Sequence, residues 1–254
     1  LMALSLPQYV GEAIPVGNVG KMRNTGVELD LGYRQTFGDF QLRVNANVSY
    51  LHNKLIAYGN EQGWANYDSF QGVGTISRAE NGQPFPFFYG YKTDGIIQNQ
   101  AEADAYNSLY GTTLEPGDVR FVDRDGNGAI DDDDRGKIGR GMPDWTYGFS
   151  INAAWKGFDF NVFFQGTAGN DIFDATRRVD AIASNLPSWM LNRWTGEGTT
   201  NSMPRYKQGD SWNWQSSDLY VHDGSYFRLK NIQLGYTLPE NLTRRISLSK
   251  VRFY

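Results

Sequence analysis

Between Thr25 and Arg34 the side chains alternate: Val27, Leu29, Leu31 and Tyr33 on one side, Glu28, Asp30, Gly32 and Arg34 on the other. A period of two is the signature of a β-strand with two different faces. Gly38-Asp39 supplies a turn, and from Phe40 to Tyr50 the pattern returns. Leu42, Val44, Ala46, Val48 and Tyr50 stand against Gln41, Arg43, Asn45, Asn47 and Ser49. A second hairpin follows the same rule. Tyr147, Phe149, Ile151, Ala153 and Trp155 alternate with small polar residues from Trp145 to Trp155. Lys156-Gly157 turns, and Phe158, Phe160, Val162 and Phe164 continue to Gln165. A further strand is expected from Gly224 to Leu238, with a phase slip near Asn231 that marks a bulge. Pro239-Glu-Asn241 turns, and another strand starts at Ile246 and reaches Tyr254.

The connections are unequal. Turns at Gly38-Asp39, Lys156-Gly157 and Pro239-Glu240 are short. Between the hairpins lie long irregular stretches, Leu51 to Ser77 and Gly169 to Asp223, the latter expected to hold a helix from Ala181 to Trp194 interrupted at Pro187. Gln83 to Ile97 reads as extended and aromatic, Gln98 to Tyr110 as a short exposed helix. The fold class is therefore all-β and antiparallel. The strands are about the 9–11 residues that a tilted strand needs to cross a bilayer. Their apolar face suits lipid or a packed protein core, and periodicity does not choose. The other face, rich in Asn, Gln, Ser and Gly, suits a hydrated lumen. Trp145, Trp155 and Phe158 at strand ends match an interfacial girdle or plain aromatic β propensity.

Composition narrows the choice a little. The 254 residues carry no Cys, which removes disulfides and thiolate chemistry. The net charge of −4 gives no basic field for nucleic acid, and two His, His52 and His222, make a multi-histidine metal centre an improbable reading. A mean hydropathy of −0.54 and the lack of a long apolar run exclude a transmembrane helix but not a transmembrane barrel. Leu1 to Pro7 does not read as a signal peptide, and the uncapped ends read as those of a fragment.

Chemistry concentrates at Asp123 to Asp134. Asp123, Asp125, Asn127, Ala129, Asp131 and Asp134 occupy positions one, three, five, seven, nine and twelve of an EF-hand-like loop, with Gly128 at six. Ca²⁺ takes roughly 6–8 hard oxygen ligands, and alternating acidic and amide side chains on a tight arc supply them. Ala129 would contribute its carbonyl and Asp131 a bridging water, while Asp132 and Asp133 point outward. Ile130 would pack inward. Asp134 is shorter than the usual Glu, and Pro and Gly in both flanks argue for extended chain rather than helices. A metal here would stabilise, not catalyse; the alternative is a bare acidic turn.

Trp64, Tyr67, Trp189, Trp194, Trp212 and Trp214 fall in the loops, where they can stack on a sugar, grip a partner or pin the loops together. No paired carboxylates, Ser or His stand in a catalytic motif, so an enzyme is not expected.

Several phrases, in order, resemble the C-terminal barrel of SusC/RagA-family TonB-dependent outer-membrane transporters: KMRNTGVEL from Lys21, PGDVRFVDRDGNG from Pro116, IG…PDWTYGF from Ile138, GFDF…FFQG from Gly157, GND from Gly169 and DGSYFRLKNIQLGYTLP from Asp223. The resemblance implies a barrel of about 22 strands with a plugged lumen. Residues 1–254 would then be a piece without the plug, the TonB-contacting region or the final strands, with the 123–134 loop on the extracellular side. It also implies import of a bulky nutrient, oligosaccharide or peptide, across a Bacteroidetes-type outer membrane, driven by TonB and lidded by a SusD-like lipoprotein. The competing reading is a secreted β-rich module, stiffened by calcium, that binds carbohydrate.

Overall fold

The computed structural model describes residues 2–3, 16–17, 20–69, 73–176, 186 and 188–254. In chain order its strands are β1 (Met2–Ala3), β2 (Val16–Gly17), β3 (Lys21–Phe37), β4 (Phe40–Ala57), β5 (Trp64–Ser69), β6 (Thr75–Glu80), β7 (Phe87–Gly90) and β8 (Thr93–Ile96). Helix α1 (Gln100–Tyr110) leads to β9 (Val119–Phe121), β10 (Gly136–Arg140), β11 (Trp145–Trp155), β12 (Phe158–Ala168) and β13 (Asp171–Phe173). Then come β14 (Val221–Asp223), β15 (Tyr226–Thr237), the short helix α2 (Glu240–Thr243) and β16 (Arg252–Phe253). The chain divides into two compact units: Asn24–His52, Met142–Asn170 and Gly224–Tyr254 form one, and Leu1–Arg23, Asn53–Gly141 and Asp171–Asp223 the other.

The first unit is built from an antiparallel sheet of order β16-β15-β12-β11-β4-β3. Its register puts like with like. Ile151 pairs with Val44 on one side and Val162 on the other, and Val162 pairs with Ile232. One residue away, Asn152 meets Arg43 and Asn161, and Asn161 meets Gln233. Each face is therefore continuous across strands, because a slip of one residue would exchange them. The expected phase slip exists: between Phe163 and Phe164 the ladder skips Lys230, so Leu229 and Ile232 share the apolar face. On the outer strands that face is open, with Val27 71% exposed, Ile232 61% and Leu234 63%; in the middle strands Ile151 is half-buried and Val162 buried.

The turns at Gly38-Asp39 and Lys156-Gly157 lie at the same end of this sheet, since Trp155 pairs with both Phe40 and Phe158. At that end Phe158 packs on Tyr236, centroids 4.5 Å apart; at the other, Tyr50 packs on Trp145 at 4.8 Å. The eleven residues of β11 run between these aromatic rows. At about 3.3 Å per residue and a tilt of about 40° they span roughly 25 Å of height, the thickness of an outer-membrane apolar band.

The second unit contains the buried core. Tyr91, Ile96, Val119 and Phe121 form one cluster, Ile97, Ala103 and Leu114 another, and Met190, Trp214 and Tyr220 a third. Helix α1 starts at Gln100, two residues after the expected Gln98. Asn99 accepts the Glu102 N–H at its N-cap, and Glu102 accepts the Gln98 N–H in return. Gly111, at φ +64, ends it in the left-handed conformation that glycine adopts without strain.

Three expectations need correction. Leu51 to Ser77 is not a plain loop: β4 continues to Ala57, and β5 and β6 form a hairpin joined to β7 and β10 in a four-stranded sheet. The alternation is hidden there because Arg78, a polar residue, is the inward anchor. Its guanidinium lies 4.2 Å from the Trp64 ring centroid and 3.6 Å from that of Tyr89. The strand expected from Ile246 to Tyr254 shrinks to Arg252–Phe253, because Pro239 starts α2 and a further helical turn, Arg244–Ile246, before Ser247 breaks it at φ +59. The helix expected over 181–194 lies partly outside the described residues; within them Ser188–Asn192 is a 3-10 turn.

Candidate functional site

The acidic loop sits between β9 and β10, so strands and not helices flank it, as its Pro and Gly neighbours foretold. Its shape comes from carboxylates capping backbone N–H groups. Asp123 accepts from Gly126 at 2.7 Å and Gly128 at 3.0 Å. Both glycines have positive φ, +75 and +81, which a Cβ would strain. Asp134 is fully buried and accepts from Arg124 at 2.6 Å and Asp131 at 2.9 Å. Ile130 packs against the Tyr91–Ile96–Val119–Phe121 cluster, which ties the arc to its host.

The fold gathers Asp123, Asp125 and Asp134: one oxygen from each lies within 4.8 Å of the others. Three carboxylates this close repel one another, and a divalent cation would offset that. Each oxygen that accepts one N–H keeps a lone pair for a metal. The donor set is hard oxygen, so these residues fit Ca²⁺. The other proposed ligands are arranged differently. Asn127 turns its amide nitrogen toward Asp125 and Asp131, at 3.1 and 3.3 Å, and its oxygen accepts the Ala129 N–H. Asp131 caps the 3-10 turn Asp132–Asp134 by accepting from Asp133. Asp132 faces solvent and Arg135 at 3.4 Å; Asp133 is exposed. The Asp123 carboxyl lies below the ordinary range: desolvation is the largest single influence and opposes this, but the hydrogen bonds with Gly128, Gly126, Asp125 and Asn127 together outweigh it.

The loop aromatics separate into two kinds. Trp212 donates to the Val119 carbonyl at 2.9 Å and packs on Phe121, Trp194 donates to Gln98, and Trp214 is 9% exposed. Trp189 packs on the Met190–Trp214–Tyr220 cluster. Those four rings contribute to the internal packing of the loops. Trp64 lies on Arg78, and Tyr67 is exposed, its hydroxyl 2.5 Å from that of Tyr58. Partial desolvation pushes the Tyr67 phenol up to about 12, helped by the Tyr58 hydroxyl.

Two polar anchors carry no signal in the sequence. Arg205 grips buried Asp118 through Nε at 2.8 Å and Nη2 at 3.1 Å, and Asn213 donates to the same carboxylate at 2.9 Å. Arg135, next to Asp134, donates to the Thr75 carbonyl at 2.7 Å and lies over the Tyr89 ring. Their partners are 87 and 60 residues away, beyond the reach of any local motif.

No protein-family model matches the chain. It is 33% identical over 98% of its length to TonB-dependent receptor P3 of Formosa agariphila, of which it covers 25%. It is 25% identical over 88% of its length to TonB-dependent receptor SusC of Bacteroides thetaiotaomicron, covering 22% of that protein. The fold matches the RagAB peptide importer in its open-open state, with a TM-score of 0.71 and 22% identity over 99% of this chain and 26% of that one. The sheet is thus the fold of part of a transporter barrel, and the chain spans about a quarter of the length of the curated relatives it matches.

Proposed function

We propose that this relative of the SusC-type TonB-dependent receptors is part of an outer-membrane barrel that imports a bulky nutrient. One observation carries the reading: on the outer strands of the six-stranded sheet the apolar face is bare, with Ile232, Leu234 and Val27 all more than half exposed. In a secreted carbohydrate-binding module that face would be packed against a second layer. In a bilayer it meets acyl chains, and the Asn152–Asn161–Gln233 face meets water. The aromatic rows at Tyr50–Trp145 and Phe158–Tyr236 then mark the two interfaces.

Import by such a barrel needs no covalent chemistry; it rests on states that bind the cargo differently. TonB supplies the energy and a SusD-like lipoprotein lids the barrel, as the resemblance in sequence implies. The cargo is an oligosaccharide or a peptide. Among the six loop aromatics Tyr67 is the exposed one and Trp64, Trp189, Trp194 and Trp212 are half-buried, so Tyr67 is the first candidate to meet the cargo or the lid.

Ca²⁺ belongs to the same reading as a structural ion. Asp123, Asp125 and Asp134 would hold it, with Asn127, Ala129, Asp131 and water completing the shell after modest rearrangement. It would neutralise their repulsion and stiffen the link between β9 and β10.

The test uses the full-length receptor. Expressed in an outer membrane, it should require detergent for extraction and migrate faster unheated than boiled on a denaturing gel, as a folded barrel does. A water-soluble monomer would sink the importer reading and favour the secreted module.

A further inference from the structure

Arg34 and Arg43 face each other on neighbouring strands with no acid between them. The two-residue turn at Gly38-Asp39 closes β3 on β4 with Phe37 next to Phe40, so Arg34 falls opposite Arg43. Further along the hairpin the same register holds: a Cβ on Gly32 would meet Asn45 at 3.5 Å, and Ser49 donates to Glu28 at 3.4 Å. Like charges directly opposite across a ladder, about 5 Å apart at Cβ, destabilise a sheet. Both side chains are exposed on the polar face and line one groove, of about 520 Å³, with Asn152, Asn161 and Gln233. The groove's carboxylate, Asp159, is already held by Arg252, Nε to Oδ1 at 3.0 Å and Nη2 to Oδ2 at 2.5 Å. Three guanidiniums against one carboxylate leave two positive charges without a partner among the described residues.

We propose that Arg34 and Arg43 form a clamp for a carboxylate, the side chain of an Asp or Glu elsewhere in the receptor's own polypeptide. The inference rests on the barrel reading, in which the groove lines the bore. Two planar guanidiniums with parallel N–H donors match the two oxygens of one carboxylate, and the amide of Asn152, next to Arg43 in the ladder, can satisfy a remaining lone pair. A source within the receptor is favoured because the curated relatives are about four times as long as this chain.

The sign of a single substitution decides it. In the full-length receptor in detergent, with no added ligand, Arg34→Gln and Arg43→Gln should each lower the melting temperature by several degrees. The double variant should lose little more than either single, because both hold the same group. Arg34→Lys/Arg43→Lys, which keeps the charge but not the fork, should fall between and guards against a fold defect. If Arg34→Gln is neutral or stabilising, the pair is merely repulsive and the clamp is overturned. A response seen only on adding sodium glutamate would also overturn it, since the carboxylate would then be diffusible. Heat-dependent gel migration, read on the same samples, separates the two failures: an intact barrel with a neutral Arg34→Gln sinks the clamp alone, and no barrel sinks both.

Discussion

The buried carboxylate of Asp134 accepts the backbone N–H of Arg124 at 2.6 Å, from ten residues earlier in the chain. Its other oxygen accepts the Asp131 N–H at 2.9 Å. One side chain thus closes the acidic loop at both ends. Asp134→Ala leaves two N–H groups without a partner, each costing about 1–3 kcal/mol if it stays buried. The expected outcome is loss of calcium-dependent protease protection between Leu114 and Pro143. Proteolysis with and without a chelator, with bound metal measured by mass spectrometry, checks it. Equal nicking and equal metal content in both conditions would count against a calcium site.

Asp123 sets a pH limit on the metal-free loop. Its folded-state value is depressed, so its contribution is present above the unfolded carboxyl value and lost as pH falls through the lower, folded one. The loop should stay ordered at neutral pH and loosen only as pH falls below the ordinary carboxyl range. Hydrogen exchange at Gly126 and Gly128 across that range reads it directly, and Asp123→Asn should abolish the transition.

Asp118 and Arg205 make the sharpest stability prediction. The Asp118 side chain is 3% exposed and that of Arg205 22%. Arg205→Ala strands a buried charge, at a cost of about 3–5 kcal/mol. Exchange protection should fall around Val119 and Asn213, which the same network bonds, while strands β11 and β12 keep theirs.

The two faces of the sheet can be told apart by one charge. Ile151 lies near the middle of β11, and Lys there should cost about 2–4 kcal/mol in a bilayer. Ser150→Lys, one residue away on the wet face, should cost little. Folding yields of the two full-length variants in lipid vesicles provide the measurement; equal yields would contradict the face assignment.

Substitution also sorts the aromatics. Trp212→Ala and Trp214→Ala remove packed rings and should cost about 3–5 kcal/mol. Trp64→Ala removes one side of the Arg78 stack and should cost less. Tyr67→Ala should leave the melting temperature nearly unchanged, so a fall in cargo binding there would report contact with the cargo.

Much of the strand framework was readable from order alone. Strand identity in β3, β4, β11 and β12 follows from period two, and their turns from Gly38 and Lys156-Gly157, because these are local properties of backbone and neighbours. The bulge at Lys230 showed as a phase slip near Asn231, and the short helix showed as Gln98 to Tyr110. The meeting of Asp123, Asp125 and Asp134 was legible for the same reason: their spacing is written within twelve residues. What hid the β5–β6 hairpin is that its anchor is Arg78, whose burial depends on Trp64 and Tyr89 arriving from two other strands.

Alternation by itself determined that this chain makes two-faced ribbons, and spacing determined where a cation could sit. It left open whether the apolar side meets protein or lipid, since burial is a property of what lies opposite. The tertiary structure added where burial falls within this chain: Ile232 and Leu234 are bare, while Tyr91, Phe121 and Trp214 are buried in the connections. It also placed Arg34 against Arg43 and bound Asp118 to Arg205, because long-range pairing brings together charges that the linear order keeps apart.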